Sequence, residues 1–152
     1  MPSETTTTVR ALAETDRLAW DPLWQGYLAF YETSLPAHQT ELTWSRLMDP
    51  AEAVFGLVAE VEGQVRGIAH ALPHSSTWAR VGYLYLEDLF VAPEARGLGL
   101  GRQLIEALYA IADEREIERV YWATKHDNPA RRLYDKLATE SGFVQYRAAR
   151  LL

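Results

Sequence analysis

Three observations predict one mixed α/β domain with helices packed on a central sheet. Apolar runs at 53–62 and 64–70 pivot on Glu62-Gly63, the signal of an antiparallel hairpin. From residue 82 onward, strand-like runs alternate with helical patterns, the order that builds a sheet covered by helices. The chain has 152 residues, 48% of them hydrophobic, enough for one sizeable core spanning 1–152. There is no internal repeat, and the only low-complexity stretch is the threonine run at 5–8.

Residues 5–12 alternate weakly and predict a first strand. Asp21-Pro22 reads as an N-cap followed by a first helical residue. Trp20, Trp24, Tyr27 and Tyr31 recur at i, i+4, i+7 and i+11 and share one face of that helix. Such a stripe either packs on a core or lines a pocket, and Phe30 and Trp44 would extend either one. Thr40 is placed to cap a short second helix over 41–48. After the hairpin, 73–80 reads as a polar loop with one exposed aromatic, Trp78. Residues 82–91 are apolar on both faces except at Glu87 and Asp88, as a central strand would be. Apolar residues at 100, 104, 108 and 111, with Ile105 and Ala112 alongside, make 100–115 an amphipathic helix lying on a sheet. A strand over 120–124, a helix over 130–140 and a closing strand over 143–150 complete the order.

Charge and composition exclude several function classes. With 21 acidic against 15 basic residues the net charge is −6, which argues against a nucleic-acid surface and suits a cationic amine. Cysteine is absent, so there is no disulfide framework and no thiol nucleophile. His38, His70, His74 and His126 lack metal-ligand spacing; they read as surface or hydrogen-bonded residues, and no metal is expected. Residues 1–8 lack a basic and apolar leader pattern, and no window approaches a membrane span. The expectation is a cytoplasmic protein without a membrane partner.

Residues 86–101 are the most informative stretch. They read as a buried strand, a turn marked by Pro93, a glycine cluster at Gly97, Gly99 and Gly101, and a helix opening at Leu100. Glycines let the backbone approach a ligand, and the helix start adds unpaired N–H groups and the positive end of its dipole, so the segment is a phosphate cradle. A P-loop would require Lys and Ser/Thr after the last glycine, where Arg102 and Gln103 stand. The dinucleotide fingerprint would require a third glycine at 102 or 104, occupied by Arg102 and Leu104.

Arg96-Gly97-Leu98-Gly99-Leu100-Gly101 instead resembles the acyl-CoA-binding segment of the GNAT N-acetyltransferase superfamily, Arg/Gln-x-x-Gly-x-Gly/Ala. The preceding run from Tyr85 to Val91 resembles the branch acting on diamines, spermidine, histones and D-amino acids. A second segment, Asn128-Pro129-Ala130-Arg131-Arg132-Leu133-Tyr134 and then Gly142-Phe143, follows at the superfamily's spacing, so the likeness spans roughly 20–150. It implies a largely antiparallel mixed sheet of six to seven strands, splayed between 82–91 and 119–124, with about four helices, the first of them beginning near Asp16 as the alternative to Asp21-Pro22. It implies acetyl-CoA as donor, its pantetheine arm against the backbone of Leu89, Phe90 and Val91 and its pyrophosphate on the N–H groups from Gly97 through Leu98, Gly99, Leu100 and Gly101 to Arg102. Arg96, Asn128 and Arg131 complete the implied cofactor contacts. Trp24, Tyr27, Tyr31 and Trp78 fall on the acceptor side. The acceptor would be a primary amine (a polyamine, a lysine side chain of a peptide or a small amino compound) acetylated directly in a ternary complex. The edge strand at 143–150 would be a homodimer seam.

Acetyl transfer from a thioester to an amine requires removal of a proton from the amine, support for the developing oxyanion and protonation of the leaving thiolate. Adjacent residues of a regular strand point to opposite faces, which would separate Glu87 from Asp88. By resemblance Glu87 is the base, acting through water, while Asp88 orients the cationic acceptor or buttresses Glu87; a buried ion pair with an arginine is the structural alternative. Tyr134 falls where the superfamily's thiolate-protonating tyrosine does, and a phenol of pKa about 10 can donate to a thiolate of about 8.5. Two departures stand out. Asn128 lies six residues before Tyr134, where seven is usual, leaving open whether Asn128 or Asp127 meets the cofactor. The interval from Tyr134 to Gly142-Phe143 is long, which predicts an extended or kinked last helix. The rival reading is a non-catalytic acyl-CoA-binding module, for which Glu87, Asp88 and Tyr134 would have no use. A plain nucleotide-binding domain would lack a partner for magnesium or ribose.

Overall fold

The hairpin at Glu62-Gly63 forms as expected. Both turn residues have positive φ (50° and 77°), the two-residue geometry that matches strand twist. In the computed structural model, which describes residues 4–150, it joins β2 (Phe55–Val61) to β3 (Gln64–His74). With β1 (Thr7–Ala11), β4 (Tyr83–Val91) and β5 (Arg119–Tyr121) they make one sheet in chain order, β1 to β4 antiparallel and β5 parallel to β4. α1 (Arg17–Phe30) and α2 (Ala37–Met48) precede the hairpin, α3 (Leu100–Glu114) crosses from β4 to β5, and α4 (Arg131–Leu137) follows.

The helices cover opposite faces. A Cβ at Gly67 would meet Leu104 of α3, whereas Phe90, paired with the next residue Ile68, lies against Gly26 of α1. Leu100, Leu104, Ile105 and Leu108 of α3 are fully buried on one side, and Trp20, Leu23, Trp24 and Leu28 of α1 on the other. Among the described residues no helix is long and apolar enough to cross a membrane.

Four local expectations are corrected. The first helix begins at Arg17, and Pro22 lies inside it. The bond its ring removes, to the carbonyl of Leu18, falls on a face open to water, since Leu18 is 88% exposed. α2 starts at Ala37 behind Pro36, and Thr40 is buried within it instead of capping it. β3 continues through Pro73 to His74, where a loop was expected.

The fourth concerns the sheet, which has five strands among the described residues, not six to seven. Residues 138–150 form neither helix nor strand, so the closing strand at 143–150 and its dimer seam are not formed within this chain. α4 stops at Leu137 because Ala138 turns fully extended and Thr139, Ser141 and Gly142 are weak helix formers. A closing strand needs a neighbour long enough to pair with. β5 has only three residues, and residues 122–124 have already left the sheet.

Candidate active site

The centre of the site is an irregularity in β4. Opposite β3, His70 pairs with Asp88 and Ala71 with Leu86, so Glu87 is an extra residue, a β-bulge. One face of β3 carries Ile68, His70 and Leu72, whose partners across the ladder are Phe90, Asp88 and Tyr85. The alternation therefore resets at the bulge, and the expectation that Glu87 and Asp88 point apart is corrected: both face α1 and line one cavity of about 430 Å³. Trp24 and His70 form part of its wall, with Gln39, Thr43 and Arg46 of α2.

The two carboxylates differ in their surroundings. Asp88 Oδ2 is 2.9 Å from Nδ1 of His70, whose side chain is almost completely buried. The phenol of Tyr27 also faces Asp88, and burial first, then that carboxylate, raises its pKa well above the ordinary tyrosine value. Among the described residues no arginine pairs with either acid, which speaks against the structural alternative of an ion pair. Glu87 opens to the cavity and accepts no hydrogen bond from a described residue. The protein around it, followed by the charge of Asp88, pushes its pKa up, with His70 and then Arg147 opposing. A carboxylate raised in this way suits a proton acceptor near neutral pH.

The aromatic stripe of α1 divides between the two roles the sequence left open. Trp20 is fully buried core; Trp24 lines the cavity and stacks on Tyr27 at 5.6 Å. Tyr31 packs edge-on against Tyr27 and lies near Lys125. Trp78 is 80% exposed and outside the cavity wall, so its acceptor-side placement is corrected: the loop carries it into solvent.

At the cradle, Gly97 and Gly99 both adopt positive φ (86° and 81°), conformations that side chains resist. Gly99 caps α3, and Gln103 N–H bonds back to its carbonyl at 3.0 Å, so the first-turn N–H groups of Leu100, Gly101 and Arg102 face outward without helical partners. Arg96 bonds the Val91 carbonyl and covers Phe90, while Leu98 is exposed. Arg102 lies along α3 at 3.9 Å from Glu106. Leading into the cradle, β4 pairs with β5 only from Tyr83 to Tyr85; beyond that, the β5 side of Leu89, Phe90 and Val91 has no strand beside it among the described residues.

α4 abuts the cradle, because a Cβ on Gly101 would touch Leu133 at 3.4 Å. The next residue, Tyr134, packs edge-on against Trp122 at 5.5 Å. Burial, then Tyr31, pushes its phenol up to about 12, above the ordinary value assumed from sequence, so it holds its proton throughout the working range. Asn128 serves the turn before α4: its amide donates to Thr124 and its oxygen accepts from Ala130 N–H. Arg131 ties the His126 carbonyl to Glu140. The polar side chains of both are thus engaged locally.

Sequence reading missed His70, Thr43 and Arg46 as members of this site. Only His70 left a signal, as the imidazole inside the apolar run from Gly67 to Leu72 of β3.

Known proteins resemble this chain in sequence and in fold. A model described as "Acetyltransferase (GNAT) family" matches residues 19–138. The D-amino-acid N-acetyltransferase HPA3 of Saccharomyces cerevisiae is 38% identical over 142 residues, covering 91% of this chain and 88% of the relative. The thialysine N-epsilon-acetyltransferase of Caenorhabditis elegans is 37% identical over 86 residues, 55% of this chain and 52% of that protein. Among solved structures, the aminoglycoside N-acetyltransferase AAC(6')-Iy in complex with CoA superposes with a TM-score of 0.83 at 18% identity, covering 99% of both chains.

Proposed function

Because the chain belongs to the GNAT acetyltransferase family and is an N-acetyltransferase, we propose that it transfers an acetyl group from acetyl-CoA to a primary amine bound beside Glu87 and Asp88. The bulge that turns both carboxylates into one cavity, at the start of the open β4 edge, carries this reading. The acceptor enters as an ammonium attracted by two acids, and Glu87 takes its proton directly or through water. The freed nitrogen attacks the thioester carbonyl, and the carbon–sulfur bond breaks as Tyr134 donates its phenolic proton to the departing sulfur. The second proton shed by the nitrogen restores Tyr134 through water, while Glu87 passes the first to solvent. The glycine cradle holds the pyrophosphate, and the free edge of β4 offers peptide groups to the pantetheine arm.

A small amino-acid-type acceptor fits the cavity best within the class of primary amines. Arg46 lines the same wall and has no ion-pair partner among the described residues, so it is available to a substrate carboxylate. The yeast relative, named for D-amino acids, supports the same class. A homodimer belongs to this reading as well, supported by Phe143, Val144 and Tyr146, exposed on a segment without a sheet partner. The test is a panel of polyamines, lysine peptides and D- and L-amino acids with acetyl-CoA, read by thiol release. Turnover of at least one amine is expected, with amino acids ahead of polyamines; no thiol release from any of them would overturn the reading.

A further inference from the structure

We infer that Trp20, His70 and Asp88 form a hydrogen-bonded relay that fixes the Asp88 carboxylate where it docks the acceptor ammonium, leaves Glu87 as the base, and makes His70 a positioning residue. The inference rests on the acetyl-transfer reading and divides the labour between its two carboxylates.

The direction of the relay follows from its buried end. An indole N–H can only donate. Trp20 Nε1 lies 3.0 Å from His70 Nε2, so that nitrogen presents its lone pair and the ring proton resides on Nδ1. Nδ1–H then donates to Asp88 Oδ2 at 2.9 Å. Trp20 is 0% and His70 2% exposed, so water cannot replace either partner. The imidazole also packs against a stacked pair of indoles, with ring centroids 5.9 Å from Trp20 and 5.5 Å from Trp24. The tautomer is therefore set from the core outward, as a partner on one ring nitrogen sets the role of the other.

Asp88 thus accepts a hydrogen bond from His70 and lies beside the Tyr27 phenol. Glu87, one residue away on the same face, has no such partner and can take a proton and release it. The other charged groups near the pair are Arg46 and Glu52 in the cavity wall and Arg147 of the C-terminal segment. None of them replaces the His70 bond to Asp88. Two carboxylates whose environments set them apart divide naturally into a fixed charge and a proton carrier.

Nitrogen-15 spectra of the labelled protein at neutral pH give the first test. The expected signature for His70 is a protonated Nδ1 and a bare Nε2; an imidazolium or the opposite tautomer would overturn the relay. This result stands whether or not any amine is acetylated, so it separates failure of the relay from failure of the acetyl-transfer reading. Two variants then test positioning by kinetics. His70→Asn keeps an N–H donor near the Nδ1 position, whereas His70→Gln presents its amide toward Trp20 and gives up the bond to Asp88. We expect His70→Gln to raise the acceptor KM about tenfold, with CoA binding unchanged, and His70→Asn to stay within about threefold of wild type. His70→Gln combined with Asp88→Asn should add little to Asp88→Asn alone. Equal KM in the two His70 variants, or full additivity with Asp88→Asn, would reduce His70 to core packing and overturn the inference.

Discussion

Trp24 Nε1 donates to Thr40 Oγ1 at 3.2 Å, and this buried bond ties together the two helices that wall the cavity. Thr40→Val keeps the shape but orphans the indole N–H, which should lower stability by about 1 kcal/mol. Because α2 also carries Gln39, Thr43 and Arg46, its loosening should raise the acceptor KM more than it lowers kcat. A denaturation curve paired with acceptor kinetics checks both.

Glu87→Gln should reduce kcat about 10²-fold and leave CoA binding intact, as expected of a general base. Burial and Asp88 raise the Glu87 pKa, so the acid limb of kcat/KM should lie above the ordinary glutamate range and vanish in the variant. The sign for stability is opposite. A carboxylate whose folded pKa is raised destabilises the fold as pH climbs through that value, so Glu87→Gln should not lower Tm at neutral pH. A fall in Tm would show Glu87 to be structural.

Tyr134→Phe removes one hydroxyl and keeps the ring against Trp122. Turnover should fall about 10²-fold with little change in Tm. Since burial pushes the phenol up to about 12, no alkaline limb below that pH belongs to Tyr134. Full activity in this variant would move the acid elsewhere, with Tyr85, beside Glu87 and itself raised by burial, the next candidate.

Gly99→Val tests the cradle. Nothing lies within 4 Å of a Cβ at this position, so any defect comes from the positive φ and from obstruction of a ligand. CoA affinity should drop by at least ~2 kcal/mol, the scale of losing charge-assisted hydrogen bonds. Gly99→Asn, which tolerates left-handed backbone better, should melt as wild type and still bind CoA more weakly by calorimetry.

The parts of this protein that were legible in the sequence are those determined locally. The hairpin turn, the glycine cradle and the periodic α3 each follow from neighbours a few residues apart. The shared face of Glu87 and Asp88 was not legible, because the bulge exists only in the register between β3 and β4. His70 escaped for the same reason: its partners lie 50 residues before it and 18 after. Pro22 misplaced the start of α1 because a solvent-facing carbonyl tolerates the missing bond. The closing strand failed because an alternating pattern states a capacity to pair without supplying the partner.

The open edge of β4 has a consequence for how such a protein can diverge. A donor bound there is recognised by peptide groups, which every residue carries, so Leu89, Phe90 and Val91 are free to drift among apolar types that preserve packing. In the proposed reaction, choice of the amine falls to different residues, on α1, α2 and the bulge. The two specificities are therefore inherited separately. Exchanging α1 and α2 with those of a relative should change the amine accepted and leave the thioester unchanged.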